Sequence, residues 1–69
     1  MTITQKIKLA ITYAGISEAE LARRIGSSPA AFNQRMKTGK FSDDDLNKIV
    51  GALNATFEFK INFPDGTSI

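Results

Sequence analysis

Apolar positions recur at two different periods along this chain. From the start the spacing is helical. Ile3, Ile7, Ala10, Ile11 and Ala14 fall on one stripe, which predicts a first helix over about residues 4–14, with Gly15 placed to end it. Leu9 and Tyr13, four apart, point away from that stripe. They are either scattered surface residues or a docking face for another element such as the C-terminal strand. "SEAE" then has the form of a capping box, with Ser17 at the N-cap and Glu20 at N3, and opens a second helix. Leu21, Ala22 and Ile25 form its buried side, Arg23 and Arg24 its outer side, and Gly26 its end.

A third helix is predicted after Ser28. Pro29 sits at its first position, where a missing N–H costs nothing, and the helix runs to about residue 37. Ala31, Phe32, Arg35 and Met36 have amphipathic spacing, with Phe32 and Met36 the core pair. Ser42 starts a fourth helix whose first turn is Asp43, Asp44 and Asp45. Carboxylates there favour the positive end of the helix dipole. Leu46, Ile49, Val50 and Leu53 follow at i, i+3, i+4 and i+7, and the helix ends near residues 53–54.

The period then drops to two. In "TFEFKINF" the residues Phe57, Phe59, Ile61 and Phe63 share one face and Glu58, Lys60 and Asn62 the other, which predicts a half-buried strand. "PDG" makes a turn, after which "TSI" pairs back or frays. A lone short hairpin is marginal, and a single strand cannot satisfy its own backbone groups. The economical partner is the same strand of a second copy, which also covers the apolar face.

Composition narrows the reading. With 69 residues the chain holds one core, and a chain of this size buries only about 60% of its unfolded surface. It has no Cys and no His, hence no disulfide, no thiolate site, and neither the commonest metal ligand nor the commonest general base. It also lacks a nucleotide-binding glycine loop, so no enzyme, cofactor or small-molecule ligand is expected. Small domains without such staples often gain stability by association. No apolar run approaches the roughly 20 residues of a membrane helix, and Lys6 and Lys8 interrupt any signal-peptide apolar region; the expectation is a cytoplasmic protein. Nine basic against seven acidic residues leave a net charge of +2. The distribution says more than the sum. The segment 27–42 carries Arg35, Lys37 and Lys40 and no acid, whereas 43–69 carries five acids against Lys48 and Lys60. Such asymmetry can mark a nucleic-acid face.

Two short helices joined by a tight Gly-containing turn, preceded by one helix and followed by another, have helix-turn-helix organisation. The stretch "ISEAELARRIGSSPAAFNQRMKTGKFSDDDLNKIVGALNA" resembles the XRE-type family of lambdoid phage repressors and Cro, through "ELARRIG", the Ser-capped third helix and "DLNKIVGALN". It is most similar to a small subgroup that reads roughly "LAxxLGxSPxxLxxKLKxxxFxxxELxxIAxAL" and often ends in a short strand. The resemblance covers about residues 5–55. The expected fold is therefore mostly α: a compact four-helix repressor-like helix-turn-helix domain over 1–55, then a C-terminal β-strand and turn over 56–69. That strand is the expected dimerisation element, through Phe57, Phe59, Ile61 and Phe63.

The same reading assigns candidate contacts. A recognition helix needs small or polar residues at its N-terminal end so that its backbone can approach base edges. Ala30 suits a thymine methyl, and Asn33 and Gln34 carry amides that can pair bidentately with adenine N6 and N7. Lys37 reaches a base or a phosphate, and Pro29 makes only apolar or positional contact. Thr38, Lys40, Ser28 and the start of the second helix, with Ser17 and Glu18, are candidates for the phosphate backbone. Each has a plainer alternative: solvated amides, surface lysines, and an internal ion pair for Arg35. The Asp triplet is read as dipole capping rather than as a metal site. One residue departs from the family pattern. Members often carry Gln where this chain has Glu18, whose carboxylate repels phosphate unless it turns inward to the helix's own N–H groups. The leading expectation is a homodimeric regulator of phage or mobile-element type on double-stranded, palindromic DNA. The alternative is a protein-interaction module or antitoxin-like adaptor with the same fold.

Overall fold

The computed structural model describes residues 1–69 and contains four helices: α1 (Ile3–Ala14), α2 (Glu18–Arg24), α3 (Pro29–Thr38) and α4 (Asp43–Ala52). Each starts at a side-chain cap. Thr2, Ser17, Ser28 and Ser42 each accept, through the side-chain oxygen, a backbone N–H three residues on. This satisfies one of the N–H groups that a helix start leaves without a partner. At the far end of α3, Gly39 takes the left-handed conformation (φ 69°) and donates its N–H to the Arg35 carbonyl, closing the helix.

The core is built from one or two residues of every helix: Ile7 and Ile11, Leu21 and Ala22, Phe32 and Met36, and Ile49. Phe32, Leu21 and Ile49 are its largest fully enclosed side chains. Phe41, in the turn between α3 and α4, tilts against Phe32 at 6.4 Å between ring centroids. Such aromatic pairs add roughly 0.5–1.5 kcal/mol beyond their buried area.

The apolar stripe of α1 is narrower than its spacing implied. Ile7 and Ile11 are buried and Ala10 is half-buried, but Ile3 and Ala14 are exposed. The two ends of a helix that crosses a small body overhang it. Leu9 and Tyr13 are exposed as well, with Tyr13 at 95%. The capping box expected at Ser17 is half formed. Ser17 Oγ accepts from Glu20 N–H at 3.1 Å, but the Glu20 carboxylate turns to Arg23 and Arg24. Two positively charged groups on the next turn outcompete one neutral N–H. The reciprocal box forms instead at Thr2/Gln5 and at Ser42/Asp45.

The C-terminal strand does not form. From Ala55 to Lys60 the chain has no regular element, and the only bridge is antiparallel, between Asn62 and Ser68. Around it Ile61 and Ile69 exchange both backbone bonds (2.8 and 2.9 Å), and Phe63 N–H reaches Thr67 O at 2.8 Å. "TSI" thus pairs back through the "PDG" turn. The physical reason is that a ladder needs two lengths of chain, and only the last three residues lie opposite 61–63. The tail is also unburied: every residue from Asn54 onward is exposed. Accordingly the radius of gyration is 13.4 Å, with a longest dimension of 43 Å, against about 11 Å expected for a compact chain of this length.

Candidate nucleic-acid interface

α2, the turn 25–28 and α3 hold one another through Leu21, Ala22 and Phe32, all enclosed. Burial of Phe32 and Met36 on one side of α3 decides what the other side presents. Pro29, Ala30, Asn33, Gln34 and Lys37 are all exposed. At about 100° per residue they fall within an arc of roughly 140°. Pro29, Asn33 and Lys37 form one i, i+4 column, and Ala30 and Gln34 a second beside it. From Pro29 to Lys37 the face rises about 12 Å along the axis at 1.5 Å per residue, similar to the ~12 Å width of the major groove of B-DNA.

The rest of α3 is committed internally. Arg35 lies off this arc and pairs with Asp45 of α4 at 3.3 Å, so its charge is spent holding α3 to α4. The Thr4 hydroxyl on α1 donates to the Met36 carbonyl at 3.0 Å. That carbonyl is one of the last four of α3, which the helix itself leaves without a donor. Thr4 and the bond from Arg24 to the Ala52 carbonyl (3.2 Å) were not legible in the sequence, because neither position carries a local signal.

All ion pairs of the chain use its three arginines: Arg23 and Arg24 with Glu20, and Arg35 with Asp45. The free positive charge beside α3 therefore comes from lysine. Lys37 and Lys40 are exposed, on the last turn and just past it. Hydrogen bonding by Arg24, then the charge of Arg23, holds the Glu20 carboxyl below its ordinary range. The Ser42 N–H, helped by the Ser42 hydroxyl and Arg35, does the same for Asp45.

The candidate phosphate-facing residues are arranged as follows. Ser17 and Ser28 each use a lone pair for capping (3.1 and 3.2 Å), which leaves each hydroxyl proton free to donate outward. Thr38 donates to the Arg35 carbonyl (3.3 Å) and accepts from Lys40 N–H (3.4 Å), which fixes the loop that carries Lys40. Glu18 is half-buried at the first position of α2. Ser17, not Glu18, serves the first-turn N–H of Glu20. No helix of the chain is long and apolar enough to cross a membrane. No family model matches the chain, and neither a curated protein nor a solved structure matches it.

Proposed function

We propose that this chain is a sequence-specific DNA-binding protein, a transcriptional regulator of phage or mobile-element type that acts as a homodimer with α3 in the major groove. The observation that carries the reading is the open face of α3: a small residue, two amides and a lysine in adjoining columns, with Phe32 and Met36 of the same helix buried in the core. Asn33 and Gln34 read adenine edges, Ala30 meets a thymine methyl, Pro29 lies against the bases without polar contact, and Lys37 takes a base or a phosphate. Ser17, Ser28, Thr38 and Lys40 position the helix through phosphates. Glu18 works against the contact and keeps non-specific affinity low. Two copies place their third helices about 34 Å apart on a palindromic site.

The test is a gel shift against genomic fragments at low and moderate salt, with the wild type and an Asn33→Ala/Gln34→Ala variant. The expected result is salt-dependent binding, with sequence preference lost in the folded variant. No binding at low salt refutes the reading, and unchanged preference refutes the assignment of the two amides. A second reading, a protein-interaction module, is favoured by one specific observation. Phe59, Ile61 and Phe63 stand exposed on the tail, a surface able to extend a partner's sheet.

A further inference from the structure

We propose that two copies of this chain pair antiparallel through the outer edge of the tail, in the single register that sets Phe59 against Phe59 of the partner subunit on the two-fold axis. The proposal rests on the homodimer reading above and adds to it which residues meet. Its first support is the direction of the backbone. Ile61 and Phe63 turn their N–H groups inward, to the carbonyls of Ile69 and Thr67. Backbone groups of successive residues in an extended chain point to opposite edges. Continued as extended chain back to Phe57, the same alternation turns those of Glu58, Lys60 and Asn62 to the open edge, and the hydrogen-bonded pairs of a joined edge are then made by these even-numbered residues.

That parity leaves three compact registers, and charge separates them. Centring on Lys60 places it directly against the partner's Lys60, and like charges opposite one another destabilise a pairing. Centring on Ile61 places Glu58 against the partner's Pro64, which has no N–H to donate at an edge that needs one. Centring on Phe59 sets Glu58 against the partner's Lys60, and Lys60 against the partner's Glu58. The same register puts Phe57 beside the partner's Ile61 on the other face. Phe59 is the most exposed aromatic residue of the tail, at 77%, and in this register it occupies the close, non-hydrogen-bonded position that favours aromatic pairs. Phe57 and Phe59, with Glu58 between them, line a mostly apolar groove of about 450 Å³ over α1 and α4, so a pair formed there closes over largely apolar surface.

The chain has no cysteine, which permits a direct test. Phe59→Cys, Lys60→Cys and Ile61→Cys variants are oxidised mildly and scored for covalent dimer. Directly opposed residues lie about 4.5–5.5 Å apart between Cα atoms, within disulfide range. The expected result is cross-linking strongest at position 59. Strongest cross-linking at 60 or 61, or a dimer by solution mass that cross-links at none of the three, overturns the register. A wild type that stays monomeric by mass at high concentration refutes the dimer itself. A second measurement keeps Phe59 in place. Glu58→Lys or Lys60→Glu alone is expected to weaken dimerisation about tenfold, since two attractive pairs become two repulsive ones. The double exchange Glu58→Lys/Lys60→Glu is expected to restore it. Single variants that dimerise as well as the wild type, or a double exchange that does not restore what the singles lost, also overturn the register, because a Lys60-centred pairing only trades one like-charge contact for another.

Discussion

Thr4→Val removes one polar link while nearly conserving shape, and it isolates how α3 is held against α1. Thr4 is half-buried, and its hydroxyl donates to Met36 O at 3.0 Å across 32 positions of sequence. Val replaces the hydroxyl by a methyl and leaves that carbonyl to solvent or to nothing. A typical hydrogen bond contributes about 0.5–1.5 kcal/mol net, and a fully buried orphan costs about 1–3 kcal/mol. The site is only part-buried, so a loss of about 1 kcal/mol is expected. For a domain of this size that lowers Tm by roughly 4–8 °C. It is a large share of the roughly 3–5 kcal/mol that a core this small supplies. The assay is thermal unfolding followed by circular dichroism, with Thr4→Ser as the companion that keeps the hydroxyl. Amide exchange at Gly39 and Lys40 serves as the local readout, because Gly39 lies at the same junction, with Thr4 Oγ1 3.7 Å from where its Cβ would stand. Thr4→Val melting with the wild type, or Thr4→Ser losing as much as Thr4→Val, refutes the role given to the bond.

Other outcomes follow from the same structure. Phe32→Ala opens the centre of a core in which Phe32 is 1% exposed; a loss of about 3–5 kcal/mol matches the whole stability of the domain, so circular dichroism should find it largely unfolded at 37 °C. Lys37→Ala, on the exposed end of the α3 face, should leave Tm nearly unchanged. If Lys37 takes a phosphate, the slope of log K against log salt falls by about 0.9; an unchanged slope assigns Lys37 elsewhere. Glu20, Asp45 and Asp65 all have carboxyl groups held below the ordinary range, Glu20 chiefly by Arg24, Asp45 by the Ser42 N–H and Asp65 by the Thr67 N–H. A lowered folded-state pKa contributes stability that is present above the unfolded value, about 4, and is lost as pH falls through the folded one. Urea midpoints should therefore be flat from neutrality to about pH 5 and decline below about pH 4, more weakly in Asp45→Asn, which titrates one group fewer. A midpoint that rises on acidification contradicts the sign.

The helices were legible because their signals are local. Ser17, Ser28 with Pro29, and Ser42 mark three starts through bonds that reach only three residues, and Phe32 and Met36 declare the buried side of α3 by spacing alone. Within a helix the same periodicity settles which residues share a face away from that buried pair, and it places Ala30, Asn33, Gln34 and Lys37 together. Two expectations that depend on what lies across from a residue differ from the structure. Spacing pairs Glu20 with Ser17, yet Arg23 and Arg24 are the better partners for its carboxylate. Ile3 and Ala14 matched the apolar stripe, but a helix longer than the body beneath it leaves its ends uncovered.

The tail draws the line between the two kinds of information most clearly. By itself the sequence determined that "FEFKINF" alternates and that "PDG" turns, since both are properties of a few neighbouring residues. Whether the alternation becomes a strand was decided by tertiary structure. One chain brings only residues 67–69 opposite it and leaves its outer edge unpaired. In the same way, composition supplied three arginines and six lysines, but only the folded chain decided that the arginines are spent on Glu20 and Asp45 while Lys37 and Lys40 remain free. Caps, periods and turns act over three or four residues; pairing and charge neutralisation depend on what the fold brings together from a distance.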